Sequence, residues 1–382
     1  MRILYIGHTR FPTEKAHGKQ IAEVCSAMAA LGHVVTLVTP TVRTPITESP
    51  FLYYNLPENF TWVKLTCFDA LHARFVPRAL AFLVGMWSYR RALKTYLRTA
   101  EADLLYCRSH VVLPMLLLKN IPTIIELHTL PRSRVRLFSQ YCNRCVRVVA
   151  LTSPMRRMLL IMGVDSSRIL VEGDGVRSSS LSALPSLATF EERFQLQPVI
   201  GYVGSLVARN TLEKGVNVLI DAFVLLKQRG IPFRGLIVGG PESWKTRYEK
   251  EAHRKGLDVR DVLFTGHMPA RDIPPLILSA DILVYPAPAT QHPYFLRDTS
   301  PLKLFEYMAA MRPIITADLP PVRDILTETE AYFFPPGDAE GLADRIQYIL
   351  LHAAETHAKV ANAGSLVPLH TWEKRMERIL QL

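Results

Sequence analysis

Cysteine is scarce in this chain of 382 residues: five residues, Cys25, Cys67, Cys107, Cys142 and Cys145, an odd number set mostly inside apolar runs. Such usage speaks against a disulfide framework and fits a reducing compartment, so all five are expected as free thiols. Long hydrophobic runs are also missing. The most apolar candidate, ALAFLVGMW at 79–87, is closed by Arg78 on one side and by Arg90 and Arg91 on the other, well short of the ~20 residues of a spanning helix. The opening MRILYIGHTRFP has neither an apolar stretch of signal-peptide length nor a small-residue cleavage site. A chain that is neither secreted nor membrane-spanning is expected. Two phosphate-binding patterns are absent as well. No GxxxxGK[ST] occurs, and after Gly7 no glycine follows until Gly18, which argues against a nicotinamide or flavin domain of the GxGxxG type. CNRC at 142–145 has metal or redox spacing but no second CxxC and no histidine pair, so no metal is expected.

What is present is apolar bulk and lopsided charge. Nearly half of the residues, 49%, are hydrophobic, enough at this length for two domains with separate cores. The net charge of +11 is carried by the first half: residues 1–177 hold 23 Lys and Arg against 11 Asp and Glu, and residues 178–382 hold 22 against 23. A basic half beside a neutral one points to an anionic partner such as lipid head groups or a phosphorylated substrate.

The pattern along the chain is strand alternating with helix. RILYIG, HVVTLVTP, ADLLYCRS, IPTIIELH and VRVVALTS are short buried-strand runs, and KQIAEVCSAMAALG has helical spacing and a glycine stop. The Ser-rich RSSSLSALPSLATFEERFQLQP then breaks the text and is read as a linker. Alternation restarts with VIGYVGS, RGLIVGG, VLFTGH, DILVYPAP and RPIITAD as strands, and with VNVLIDAFVLLKQRG and AEGLADRIQYILLHAAE as helices. The expected fold class is α/β, with two doubly wound parallel sheets in tandem and ligands bound outside the carboxyl ends of their strands.

Three stretches carry candidate chemistry. In TSPLKLFEYMAA, Ser300 is expected as the N-cap and Pro301 as the first helical residue, so the first turn offers free N–H groups and a positive dipole end to a phosphate. Lys303 in that turn adds charge, and Glu306 suits sugar hydroxyls. The plainer alternative is an ordinary capped helix with an exposed Lys–Glu pair worth ~0.3 kcal/mol. In GYVGSLVARNTLEKGVNVLIDAF, the Gly204–Ser205 turn, Arg209, Lys214 and Gly215 again suit phosphate, or form a solvated basic loop. IIELH ends a strand with His128, where a histidine is more often structural than catalytic.

Taken together, these residues resemble the retaining glycosyltransferases of GT-B fold, specifically the family 4 group (glycosyl transferases group 1) that uses nucleotide-diphosphate sugars. The resemblance runs nearly end to end, through AHGKQIAEVCSAMAALGHVVTLVTP, IIELH, VEGDGV, GYVGS, EKGVNVLIDAF, LIVGGPE, LFTGHMP, ADILVYPAP, TSPLKLFEYMAAMRPIITADLP and AYFFPPGDAEGLADRI. It implies two tandem Rossmann-like domains facing an interdomain cleft: residues 1–177 for the acceptor, a linker at 178–197, residues 198–365 for the nucleotide sugar, and a helix at 366–382 returning to the first domain. Glu306 looks like the second acid of the family's E-x7-E element, holding the donor ribose. The first acid falls at Asp298, one methylene shorter than the usual Glu, toward the transferred sugar. Lys214 is similar to the diphosphate-binding lysine. Ser205 replaces an arginine often found there, and Arg209 is a candidate substitute. The resemblance puts Gly18 under the phosphates, His128 beside the reacting sugar, and His267 with Met268 against the base. Gly204, Gly240, Thr299, Ser300, Pro301, Leu302 and Lys303 complete the expected donor site.

The implied reaction has no metal and no cofactor: cations and a helix end meet the charge that develops on a departing UDP or GDP. The acceptor is a glycan or a lipid-linked sugar, nucleic acid is not a partner, and the expected location is cytoplasmic. Arg74, Arg78, Arg90, Arg91, Lys94 and Arg98 suit peripheral docking on an anionic leaflet, or form the solvated face of a core-packing helix. A nucleotide-sugar epimerase of the same fold remains a second reading. A non-catalytic nucleotide-sugar-binding protein is a third, kept open by Ser205, Asp298 and Met311, the last where relatives usually have glycine.

Overall fold

A computed structural model describes the chain apart from Leu71, residues 74–76, residues 178–181, Asn210, Leu382 and the side chain of Arg78. The expected docking side chains Arg74 and Arg78 and the start of the expected linker therefore lie outside the described residues. The chain forms two compact units, Met1–Gly173 together with Trp372–Leu382, and Asp174–Thr371.

The first unit is built on β1 (Arg2–Ile6), β2 (Val34–Pro40), β3 (Thr61–Leu65), β4 (Leu104–Cys107), β5 (Thr123–Leu127), β6 (Arg147–Ala150) and β7 (Ile169–Val171). All run parallel, in the order β3-β2-β1-β4-β5-β6-β7. Helices cover both faces of such a sheet, so β4 and β5 are buried at every residue and read as unbroken apolar runs. The edge strands β3 and β7 are only half-buried; β3 is of mixed composition, and β7, Ile-Leu-Val, is too short to give a strand signal by itself. Chain order reverses on either side of β1, which makes the loops after β1, β4 and β5 the natural binding edge. The closing helix Trp372–Leu380 belongs to this unit and packs on helix Ala16–Ala30.

The second unit holds β8 (Val199–Val203), a small antiparallel hairpin of β9 (Val207–Ala208) and β10 (Leu212–Glu213), then β11 (Arg234–Val238), β12 (Val262–Gly266), β13 (Ile282–Tyr285), β14 (Ile314–Ala317) and β15 (Tyr332–Phe334). Its six-stranded parallel sheet runs β12-β11-β8-β13-β14-β15, so here the order reverses beside β8. Two sequence expectations change. The stretch read as linker contains helix Leu187–Gln195, because Phe190 and Phe194, one turn apart, are buried in the core of this unit. The single helix read through AEGLADRIQYILLHAAE is two, Ala339–Leu351 and Ala353–Leu366, broken at His352 where φ is −126° and ψ 57°.

Candidate functional site

In the second unit, β8 delivers Gly204 to the binding edge. Gly204 has φ +146°, and a Cβ there would lie 2.0 Å from Lys303 Cε, so only glycine lets the loop rest on that lysine. Lys303, expected as a free cation, is instead 9% exposed: Nζ donates to Tyr202 Oη at 3.1 Å and sits 4.5 and 5.5 Å from the ring centres of Tyr202 and Tyr285. The cause is its helix face, shared one turn on with the buried Tyr307. Burial, and then the Lys214 charge, push the Lys303 ammonium well below its usual value, with Glu306 opposing. Glu306, on a neighbouring face, stays partly exposed.

Ser300 is not the side-chain cap that its position implied. Helix Leu302–Ala309 starts one residue later, with Pro301 as its capping residue and no side-chain cap bond. The Ser300 hydroxyl accepts the Asp174 N–H at 2.8 Å instead, since a backbone donor in that buried place requires a partner. The Ser300 carbonyl accepts the Leu302 N–H at 3.0 Å.

The cations gather on Tyr294, a residue that sequence reasoning missed. Arg209 and Lys214 lie 6.0 and 5.7 Å from its ring centre, and Thr299 adjoins its phenol. Burial alone would raise that phenol; Lys214, Thr299 and Arg209 outweigh it and hold it below its usual value. Tyr294 opens a π-helical turn, Tyr294–Asp298, that carries Asp298 inward. Asp298 is buried, with Oδ1 accepting from Arg297 Nε at 2.7 Å and Oδ2 3.6 Å from Arg209. Arg209 itself sits at φ +50°, a left-handed conformation rare for a long side chain. The aromatic pair Tyr294–Phe295 between DILVYPAP and Asp298 was the available signal.

The base-side residues adjoin the same edge. Ser205 Oγ donates to Val207 O at 2.6 Å, and its carbonyl accepts from Tyr202 Oη at 2.6 Å, so this serine closes a turn. Gly240 O accepts from Leu206 N at 3.0 Å, and a Cβ on Gly240 would lie 3.2 Å from His267 Cβ. His267 is exposed and Met268 partly buried against the core.

In the first unit, Gly18 opens helix Ala16–Ala30 against Tyr54 and Thr13: a Cβ would meet Tyr54 Oη at 2.2 Å. His128 follows β5, one-fifth exposed, with Nε2 2.6 Å from Glu126 Oε1. Burial, then Arg108, hold this ring down to about 4, against the Glu126 bond that favours protonation. His8 and His17, at the same edge, are lowered to about 4 and about 3, by burial first and Arg108 second. Arg108 donates to the His17 carbonyl at 3.1 Å. Among the described residues no group of three or more His, Cys, Asp or Glu is placed to hold a metal. Cys142 and Cys145 are buried free thiols, both raised by burial, Cys145 to about 12.

With this geometry in hand, two family models match the chain, "Glycosyltransferase Family 4" over residues 18–177 and "Glycosyl transferases group 1" over residues 197–352. The chain belongs to the GT-B-fold glycosyltransferases of family 4, a family of transferase enzymes. Its fold is similar to that of sucrose-phosphate synthase from Thermosynechococcus elongatus, with TM-score 0.75 at 19% identity over 100% of this chain and 98% of that one. It is also similar to Anabaena HepE in complex with UDP and glucose, with TM-score 0.70 at 18% identity and full coverage of both chains, 100% and 100%. Among curated proteins, the putative colanic acid biosynthesis glycosyltransferase WcaL of Escherichia coli (strain K12) is 28% identical over 188 residues. That match spans 48% of this chain and 43% of the relative, less than half of either.

Proposed function

We propose that the protein is a retaining glycosyltransferase that moves a sugar from a UDP- or GDP-linked donor to a glycan or lipid-linked acceptor in cell-surface polysaccharide or glycolipid synthesis. The observation that carries this reading is the pair Arg209 and Lys214 held over Tyr294 at the carboxyl end of β8. As the sugar–phosphate bond breaks, negative charge grows on the leaving diphosphate while the sugar becomes oxocarbenium-like. Two oriented cations placed there bind the transition state more tightly than the ground state. The Tyr294 ring, 5.7 Å from the Lys214 ammonium, favours that cation over its face. Glu306 takes the ribose hydroxyls, and Asp298, fixed by Arg297 and Arg209, presents its carboxylate toward the transferred sugar. The family resemblance assigns His128 to the reacting sugar. In this reading the leaving phosphate assists deprotonation of the acceptor hydroxyl on the same face, and no metal takes part. The complex of HepE with UDP and glucose, and the similarity to WcaL, a putative colanic acid biosynthesis glycosyltransferase, support a nucleotide-sugar donor and a surface-glycan product.

The acceptor side has a cytoplasmic membrane reading. Helix Arg78–Thr99 buries Ala81, Tyr89, Leu93 and Leu97 yet leaves Leu80, Phe82, Leu83 and Trp87 half or more exposed. Arg90, Arg91, Lys94 and Arg98 follow on the exposed side. Apolar side chains beside cations suit an anionic lipid surface, with the helix lying in the interface. No helix among the described residues is long and apolar enough to cross a membrane.

The test is donor turnover. Purified protein with a panel of nucleotide sugars, with and without lipid acceptors, should release nucleoside diphosphate, and Lys214→Ala should lower kcat/KM roughly 100-fold without lowering the melting temperature. No release from any donor removes the transferase reading in favour of a binding protein; equal loss of turnover and stability makes Lys214 structural. An epimerase would convert the sugar without an acceptor.

A further inference from the structure

Four side chains from separate elements of the first unit converge on one carboxylate. Glu126, on β5, is 0% exposed. Gln20 Nε2, from helix Ala16–Ala30, and His128 Nε2 donate to its Oε1; Tyr106 Oη, from β4, donates to Oε2; and Arg375 NH2, from the closing helix, lies 3.0 Å from Oε2. A carboxylate has ~four acceptor sites; Gln20, His128 and Tyr106 take three by hydrogen bonds, and the Arg375 guanidinium stands against Oε2 as an ion pair. Arg375 is also 0% exposed, and its Nε donates to the Gly173 carbonyl. Burial alone would raise the Glu126 carboxyl; Arg375, then His128 and Arg108, outweigh it and hold the group well below the usual range.

An ionised carboxylate only accepts, so the proton in the 2.6 Å contact belongs to His128 Nε2. The groups facing this ring are Glu126 on β5, Arg108 after β4, His17 in the first turn of helix Ala16–Ala30, and Arg375. Burial, Arg108 and Arg375 disfavour the imidazolium and outweigh Glu126, while His17, itself lowered to about 3, brings no charge, so the ring is neutral at pH 7. A neutral ring has one N–H, which leaves Nδ1 bare, and no protein group among the described residues bonds Nδ1.

We propose that Glu126 is the positioning residue for His128: it fixes the neutral Nε2–H tautomer, so that Nδ1 meets substrate only as a hydrogen-bond acceptor for a hydroxyl. A bare Nδ1 attracts a sugar O–H and repels a phosphate or carboxylate oxygen, so His128 sorts hydroxyls from anions. It orients substrate and donates no proton to the leaving group. The identity of the hydroxyl rests on the reading of His128 given above; the tautomer does not.

The experiment uses the full chain with histidine rings labelled with nitrogen-15, the His128 signals being those lost in His128→Asn. The expected spectrum has Nε2 protonated and Nδ1 bare at pH 7, unchanged down to pH 5. Tyr106→Phe removes one donor from Glu126, whose carboxylate then holds the His128 proton more tightly. The His128 midpoint should rise by about 0.5–1 unit, and the acid limb of donor turnover should move with it. Gln20→Leu should act in the same direction and serves if Tyr106→Phe does not fold. A purely structural tyrosine would lower turnover and leave both midpoints in place. An Nδ1–H ring, an imidazolium at pH 7, or midpoints unmoved in the folded variants overturns the proposal. The ring spectrum is read without substrate, so a wild type that releases no nucleoside diphosphate sinks the transferase reading alone.

Discussion

At the scale of single residues, two side chains do something other than their motif implies. Lys303 stands in the first turn of helix Leu302–Ala309, where a sequence places a phosphate ligand, yet it lies under Gly204 with its charge disfavoured. Its folded value is depressed, so between that value and the unfolded one of ~10.4 the unfolded chain binds more protons, and wild-type stability rises with pH across the window. Lys303→Met should therefore melt higher than wild type at pH 7, with a gain that shrinks as pH approaches 10; a lower melting temperature at pH 7 would show that the lysine stabilises the fold. Tyr294 was not legible as functional because an aromatic pair near a turn, here Tyr294 and Phe295, is usually core. The fold makes it the platform for Arg209 and Lys214. Tyr294→Phe should raise the donor KM roughly 5-fold, the loss of one polar contact of ~1 kcal/mol, with the melting temperature nearly unchanged.

At the scale of elements, the strands after which ligands bind were legible, since β1, β5, β8 and β13 lie inside both sheets and their apolar runs have no other explanation. The edge strands β3, β7 and β15 were not, because β3 is half-buried with mixed composition, and β7 and β15, three apolar residues each, are too short for a periodic signal. Helix Arg78–Thr99 was legible as basic and apolar, but which residues face outward was decided by packing of Tyr89, Leu93 and Leu97. Vesicles with anionic lipid should bind the protein at low salt and release it as salt rises, because exposed charges are screened beyond ~10 Å at 0.1 M. Trp87→Ser should weaken that binding roughly tenfold, about 1.4 kcal/mol of lost apolar contact. Binding unaffected by Trp87→Ser, or absent at low salt, removes the membrane from the reading.

At the scale of the whole molecule, acid should reach the first unit before the second. His8, His17 and His128 have folded values of about 4, about 3 and about 4, all below the unfolded value, and Glu126 is depressed too. Groups depressed on folding contribute stability that is present above their unfolded values and lost as pH falls, so for the histidines the window opens near ~6.5 and closes toward ~4. At pH 5 each ring costs about 2 kcal/mol relative to pH 7. Urea titrations followed by hydrogen exchange should show amides of β1, β4 and β5 losing protection between pH 7 and 5 while those of β8 and β13 keep theirs. Equal loss in both units would place the acid-sensitive groups elsewhere.

The sequence by itself determined the architecture, because apolar runs of strand length separated by helical spacing leave a doubly wound parallel sheet as the way to bury them twice over. It also determined the polarity of each sheet's binding edge and the position of Lys214, Glu306 and His128 in that order of elements. Tertiary structure decided the rest. Glu126 stands on β5 and His128 just past its end, two residues on, and that spacing could have paired them; nothing local points to Arg375, which reaches Glu126 only because the closing helix packs on helix Ala16–Ala30. Ser300 caps nothing because Asp174 claims its oxygen, and Lys303 is buried because its helix face is. Local pattern fixes which face of an element is apolar, whereas the partner of a polar atom depends on which distant segment arrives beside it.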